Sequence, residues 1–296
     1  MDFVTKGKDM SYTEEKNKVE KSFLYLVATP IGNLADITER ALKVLSEADF
    51  IAAEDTRNSG LLLSRLGIKK PMVSYHDHNR AERGPEIVER LKNGETCALI
   101  SDAGMPAISD PGEDLVALCA KEGVGVSIIP GACAAVSALA LSGLSTRRFA
   151  FEGFLPASGK ERKKRLTDIS KDERTLIIYE APHRLKKTLA EFIEYFGGDR
   201  RISLCRELTK LNEEILRLTL SSACAYYEST EPRGEYVLVI EGAPEVSPEE
   251  ENADIATRAA ALMAGGMSQK DAIKTIVKET GLPKNKVYAE VLKNNE

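Results

Sequence analysis

Several short stretches of the 296-residue chain concentrate residue types that can do chemistry. Glu54-Asp-Thr-Arg57 sets two carboxylates beside a guanidinium, able to take a proton or orient a polar group; a plain surface ion pair is the bland alternative. Ser101-Asp-Ala-Gly-Met-Pro-Ala-Ile-Ser-Asp-Pro-Gly112 packs two Asp, two Ser and several Pro and Gly into one loop, too elaborate for a simple connection and able to offer backbone groups to a polar ligand. Pro130-Gly-Ala-Cys-Ala-Ala135 is built of small residues that let a flat ligand approach the backbone, or let a helix pack closely on a sheet. Tyr179-Glu-Ala-Pro-His-Arg184, Arg206-Glu-Leu-Thr-Lys210 and Arg233-Gly-Glu235 repeat an Arg–Glu pairing. His76-Asp-His78 is a histidine pair with no third His or Cys nearby in sequence, so no metal is expected.

Familiar signatures fail on inspection. Gly153-Phe-Leu-Pro-Ala-Ser-Gly159-Lys160 resembles a phosphate loop, but five residues separate its glycines and Glu161 stands where Ser or Thr must meet magnesium. No strand-to-helix context is expected around it either. Gly123-Val-Gly125 lacks the third glycine of a dinucleotide fingerprint, and no Gly-x-Ser-x-Gly elbow occurs.

The elements that must position these residues follow from the apolar pattern. Short apolar runs at Phe23 to Ala28, Phe50 to Ala53, Cys97 to Ile100 and Val126 to Ile129 read as buried strands. Between them, Asp36 to Ala48, Arg57 to Leu66, Arg83 to Lys92, Gly112 to Glu122 and Cys133 to Leu141 carry helical spacing. Alternation predicts an α/β domain with a mainly parallel sheet, whose strand ends carry the turns above, where such folds bind ligands. A second α/β set follows, with strands Thr175 to Tyr179, Arg201 to Arg206, Glu214 to Thr219 and Tyr236 to Glu241 and a helix from Leu185 to Tyr195. The expected organisation is a disordered extension (1–21), an N-terminal α/β domain (22–145), a C-terminal α/β domain (146–242), an acidic linker (243–252) and a helical, helix-turn-helix-like appendage (253–296). In the appendage, Ser268 with Asp271 forms a helix start, Gly281 a C-terminal cap and Pro283 a fresh start.

Composition limits the functional classes. Lys+Arg 41 against Asp+Glu 46 gives a net charge of -5, so nucleic acid would need a local basic patch. The strongest is Lys160-Glu-Arg-Lys-Lys-Arg165. Five cysteines (Cys97, Cys119, Cys133, Cys205, Cys224), odd in number and without a CxxC pair, read as reduced thiols. No apolar run reaches the roughly 18 residues of a membrane span and residues 1–21 hold no signal-peptide core, so a cytoplasmic protein without membrane contact is expected.

Leu24 to Thr38, Ala53 to Arg57, Ile100 to Gly112, Ile129-Pro-Gly131, Tyr179 to Arg184 and Arg206 to Lys210 together resemble the tetrapyrrole methylase superfamily, and within it the branch that acts on ribosomal RNA. The resemblance spans about residues 22 to 242 in order, and the C-terminal segment is similar to that branch's appendage. It implies two α/β domains with an S-adenosylmethionine site in the cleft between them, a homodimer, and methyl transfer to the ribose 2′-hydroxyl of a cytidine in the decoding region of small-subunit (16S) rRNA, with the assembled 30S particle as partner. Porphyrin-type relatives carry a Gly-rich first turn and a Gly-Asp-Pro loop; Thr-Pro-Ile-Gly-Asn and Ser-Asp-Ala here argue against a tetrapyrrole substrate while keeping an acidic position at Asp102.

Carried over residue by residue, the resemblance implies a cofactor cleft lined by Pro30, Ser101, Asp102, Ala103, Gly104, Met105, Cys133, Ala134, Tyr179 and Glu180. On the acceptor side it implies Glu54, Asp55 and His183 as candidates for proton transfer and Arg57, His76, His78, Arg184, Arg206 and Lys210 for RNA contact. Which residue is the base stays open. So do two alternatives: the same cleft acting on another RNA or a small molecule, and a non-catalytic RNA-binding assembly factor using Lys160 to Arg165 and the C-terminal helices.

Overall fold

The computed structural model describes residues 18–244, 248–280 and 282–293. Residues 1–17 of the expected extension, part of the expected linker and the Gly281 cap lie outside them. Two compact units divide the chain, residues 1–242 and 243–296.

The first unit opens with a five-stranded sheet: β1 (Phe23–Val27), β2 (Phe50–Ala53), β3 (Met72–Ser74), β4 (Cys97–Ile100) and β5 (Gly125–Ile129). All its pairings are parallel, in the order β3-β2-β4-β1-β5. The apolar runs are continuous because both faces are covered. Leu24, Leu26 and Leu99 point into one core with α3 (Arg80–Lys92) and α4 (Glu113–Lys121), while Tyr25, Val27 and Ile100 point into another with α1 (Glu39–Glu47) and α2 (Thr56–Arg65). Thr38 caps α1 by accepting from the Ala41 N–H at 3.1 Å. At the start of the sheet, Val19, within the expected extension, packs on the second core, and the Glu20 carbonyl accepts from Thr96 Oγ1.

A second five-stranded sheet follows: β6 (Phe149–Phe154), β7 (Thr175–Glu180), β8 (Arg201–Arg206), β9 (Glu214–Thr219) and β10 (Tyr236–Ile240), ordered β6-β7-β10-β8-β9. Only β6 and β7 run parallel; the other pairs are antiparallel. One face is buried under α6 (Gly159–Ser170), α7 (Pro182–Phe196) and α8 (Leu220–Ser229). The other face receives α5 (Ala134–Leu141), whose Ala135, Ala138 and Leu139 pack on Ile177, Val237 and Val239. This helix, expected to belong to the N-terminal domain, ties the two sheets into one unit.

β3, β6, α6 and α8 were not legible as elements. β6 and α6 also supply the strand-to-helix context not expected around Gly153 to Lys160, leaving the glycine spacing and Glu161 as the grounds against a phosphate loop. Arg162, inside the basic run, is buried: its guanidinium donates to Glu191, to Thr188 Oγ1 and to the Pro156 carbonyl. Arg165 pairs with Glu152 at 3.2 Å, and Lys160, Lys163 and Lys164 are exposed.

The second unit packs α9 (Pro248–Ala264), α10 (Gln269–Thr280) and α11 (Lys284–Lys293) around Ile255, Ala259, Ile273, Ile276, Val287 and Val291. The helix starting at Pro248 occupies residues expected to be linker. Ser268 caps α10 through the Asp271 N–H and donates to its carboxylate at 2.6 Å. Among the described residues no helix is long and apolar enough to cross a membrane.

Candidate functional site

Strand ends at one edge of the first sheet carry loops that bind each other. Thr29 after β1 and Gly104 after β4 form an isolated two-residue bridge, and Thr29 Oγ1 donates to the Ser101 carbonyl at 3.3 Å. Gly104 sits at φ +86°, where a Cβ would lie 3.1 Å from Ile31 Cγ2, so glycine is required for this close approach. Farther along the loop, Ala107 and Ser109 also adopt positive φ, 67° and 62°. Such strain in non-glycine residues gathers at ligand sites.

Three carboxylates converge here. Glu54 follows β2, and Asp102 and Asp110 stand at either end of the loop after β4. Burial, then the charge of Asp102, raises Glu54 above its ordinary value, although the Asp102 N–H donates to it. Burial and the Glu54 charge push Asp110 up to about 6 against a hydrogen bond from Ser101. Asn58 Nδ2 donates to Asp102 at 3.1 Å.

The second sheet supplies the opposite wall. Phe154, Tyr179, Val237 and Cys205 occupy one register row across β6, β7, β10 and β8, and all four line the cleft. The Tyr179 phenol accepts from the Ala135 N–H, and burial pushes it up to about 12. The cavity between the walls has a volume of about 450 Å³. Its floor and sides come from Ile31, from Glu54, from 102–105 and 108–110, from Cys133 and Ala134 at the head of α5, and from Leu208 and 235–237. Carboxylates on one side and apolar and aromatic groups on the other suit a small molecule that carries a cation and a flat ring.

The cavity gathers much of what the sequence nominated. Glu54, Asp102, Ala103, Gly104, Met105, Cys133, Ala134, Tyr179 and Glu180 line it. Pro30 and Ser101 stand behind the lining, in the loops that shape it. The Glu180 carboxylate itself is committed elsewhere: it accepts from Thr188 Oγ1, from the Ala181 N–H and lies 3.3 Å from Arg184 Nε. Arg184 also donates to the Leu155 carbonyl at 2.8 Å, so this arginine, nominated for RNA, braces the end of β6.

Other nominees lie outside the lining. Asp55 caps α2 by accepting from the Arg57 N–H, and the Arg57 guanidinium, hydrogen-bonded to it, holds its carboxyl at about 2, far too low for a base. Arg57 is correspondingly engaged. His183 is exposed on the first turn of α7. Arg206 pairs with Glu214 at 3.1 Å, and Lys210 bridges Glu207 and Glu235. His76 and His78 follow β3 with ring centroids 5.9 Å apart; the His76 Nδ1 atom is buried without a hydrogen-bond partner, and His76 is near enough to bear on Glu54. Among the described residues no cluster of three His, Cys, Asp or Glu could hold a metal ion.

Sequence reasoning did not single out Asp110, Ile108, Phe154, Leu208 or Val237 as site residues. Asp110 and Ile108 lay in the quoted loop, but only the positive-φ turns at Ala107 and Ser109 fix where they face. Leu208 lay in the quoted Arg206 to Lys210 stretch, and no signal marked Phe154 or Val237 as cavity residues.

Comparison with known proteins places this geometry. Residues 23–224 match the family of Tetrapyrrole (Corrin/Porphyrin) Methylases, and residues 249–295 match the RsmI C-terminal HTH domain. The chain is 47% identical over 266 residues, 90% of its own length and 95% of the relative's, to a protein named Ribosomal RNA small subunit methyltransferase I from Synechocystis sp.. It is 48% identical over 273 residues, 91% of this chain and 94% of the other, to a protein of the same name from Halalkalibacterium halodurans. Among solved structures, diphthine synthase superposes with a TM-score of 0.57 at 16% identity over 74% of this chain and 90% of that one. Uroporphyrin-III-C-methyltransferase from Thermus thermophilus gives a TM-score of 0.52 at 20% identity over 74% and 94%. With two sheets, a cleft between them and a matched stretch covering most of the first unit, the chain belongs to the tetrapyrrole methylase family.

Proposed function

We propose that this protein is an S-adenosylmethionine-dependent methyltransferase that methylates the ribose 2′-hydroxyl of a cytidine in the decoding region of 16S rRNA. The observation that carries this function is the identity of 47–48% over about nine-tenths of the chain to relatives named as small-subunit rRNA methyltransferases. The site is compatible with the donor. Gly104 leaves open a cradle that a Cβ would crowd, the carboxylates suit a sulfonium and an ammonium, and Ile31, Leu208 and Val237 suit an adenine ring.

When bound, S-adenosylmethionine supplies an electrophilic methyl group. The residues of the chain do the rest. Asp102, exposed at the cavity edge, and Glu54 provide negative charge toward a cation. Tyr179 and the small residues Cys133 and Ala134 set the depth of the pocket. A ribose hydroxyl must lose its proton as it is methylated, and Asp110 is the group we assign to receive it, on a carboxylate oxygen. It lines the cavity, and its affinity for protons sits near the working pH of a general base. Asp55 and His183 have no such role in this mechanism.

Lys160, Lys163 and Lys164 and the helical unit would contact the RNA backbone. We further propose a cytoplasmic homodimer that acts on the assembled 30S particle. Mapping 2′-O-methylation of 16S rRNA in cells with and without the protein tests the assignment: loss of one cytidine methyl group is expected, and an unchanged map would sink it. Calorimetry with S-adenosylmethionine separates the enzyme from a non-catalytic assembly factor, which has no need of that ligand.

A further inference from the structure

Phe151 and Phe154 are three residues apart, an odd spacing that in a regular strand sends side chains to opposite faces. Both nevertheless contact the same ring: Phe151 lies 5.1 Å from Tyr179 and Phe154 5.5 Å, each edge-on. The cause is a bulge. Phe151 pairs with Ile177 and Gly153 with Ile178, so one extra residue, Glu152, is inserted into β6. Gly153 takes φ +61°, and a Cβ there would lie 3.0 Å from Ser109 Oγ, on the loop that carries Ile108 and Asp110. Bulges beside active sites re-aim side chains, and this one turns Phe154 onto the cleft face.

The consequence is an aromatic ring held at the cavity with 58% of its surface exposed; Ile108, 43% exposed, lines the same cavity. The same row behind it is covered: Tyr179 is half-buried and Val237 and Cys205 are buried. Phe154 and Ile108 are thus the large apolar groups of the lining that stay open, while its charged groups are all carboxylates: Glu54, Asp102 and Asp110, with Glu180 paired to Arg184 and Glu235 to Lys210. Those carboxylates repel phosphate, so the part of a nucleotide suited to the open apolar groups is its neutral, flat base. Resting on the rRNA assignment above, we propose that Phe154, aimed by the Gly153 bulge into the cavity that Ile108 also lines, is a stacking platform for the nucleobase of the acceptor nucleotide, positioning its ribose at the cleft.

Where a nucleotide of folded RNA is drawn out of its stack into a cleft, aromatic side chains recover part of the unstacking cost by stacking on the extracted base. Truncating one such contact weakens binding by about 5- to 150-fold.

The test uses the full-length protein and small-subunit particles that lack the methyl group. Phe154→Ala should raise KM for the particle within that range, lower kcat less, and leave S-adenosylmethionine affinity within twofold; Phe154→Trp should restore KM. With short acceptor RNAs, the wild type should favour the cytidine substrate over one carrying an abasic ribose at the target, and Phe154→Ala should lose that preference. An active wild type whose Phe154→Ala variant keeps its KM and its preference overturns the platform alone. Equal loss of cofactor affinity also overturns it, since the ring would then serve the donor. A wild type that methylates no rRNA overturns the rRNA assignment and the platform with it.

Discussion

Thr29 and Gly104 exchange two backbone hydrogen bonds, Thr29 N–H to the Gly104 carbonyl at 2.8 Å and Gly104 N–H to the Thr29 carbonyl at 3.1 Å. Residues 75 apart in sequence are thereby locked into one edge, and the Thr-Pro-Ile-Gly-Asn turn and the Ser-Asp-Ala-Gly loop become a single wall. The lock depends on a left-handed residue at position 104.

Gly104→Ala therefore meets both a backbone and a steric penalty. A Cβ in this conformation costs about 1–2 kcal/mol, and Ile31 must also give way. A lower melting temperature together with weakened S-adenosylmethionine binding is expected. Unchanged affinity in calorimetry would separate the bridge from the cofactor wall.

Asp110 gives a pH signature. With its carboxyl raised to about 6, activity should climb as pH passes through that value and then level off, because the ionised form is the proton acceptor. Stability runs the opposite way: the native state holds the proton more tightly than the unfolded chain, whose value is near 3.8, so this group lowers stability as pH rises between those two values. Asp110→Asn should abolish the acidic limb of the rate profile, lower kcat by about 10²–10⁴-fold and flatten the stability profile over that window. A rate profile of unaltered shape and height in the variant excludes Asp110 as the base.

Charge within the run 160–165 divides into two roles. Arg162 is 2% exposed and hydrogen-bonded to the half-buried Glu191 and to Thr188, so Arg162→Ala removes a charge-assisted contact at Glu191 and should cost about 1.5–3 kcal/mol of stability. Neutralising Lys160, Lys163 and Lys164 should leave the melting temperature nearly unchanged and reduce RNA affinity and the steepness of its salt dependence. Titrations of RNA binding against salt, paired with thermal melts, check both halves.

Residues 243–296 form a unit with its own core, and Lys270, Lys274 and Lys278 recur every fourth residue on the exposed surface of α10. Truncation after Gly242 should preserve the melting temperature and S-adenosylmethionine affinity of the remaining unit while raising KM for the ribosomal particle more than it lowers kcat. Loss of cofactor binding on truncation would contradict a docking role.

Asp102→Ala removes a carboxylate at the edge of the cavity that holds no buried ion pair. Binding of S-adenosylmethionine should weaken by about 1.5–3 kcal/mol, the worth of a charge-assisted hydrogen bond, with the fold intact. Calorimetry on the variant measures it directly.

Much of this molecule is written locally. The runs of β2, β4, β8 and β9 were legible to the residue; β2 and β4, buried throughout, read as unbroken apolar stretches. The turns that carry Asp102, Met105, Cys133 and Tyr179 were legible as ligand-binding edges because each follows or ends a strand, while the expectation that these particular residues line a cofactor cleft came from the family resemblance. What a residue faces, by contrast, is decided by partners far away in the chain. Asp55 and Glu54 are adjacent and chemically alike, yet one caps a helix and the other enters the cavity, since successive residues leaving a strand point in different directions. Arg162 sits in a run that looks solvated, but α7 places Glu191 and Thr188 against it. Phe154 reaches the cleft only because one inserted residue shifts the register of β6, and a shift of one residue exchanges the two faces of a strand. Apolar periodicity and turn chemistry thus determined the elements and the edge that carries the site, while packing across the sheets decided which of the residues on that edge are free to act.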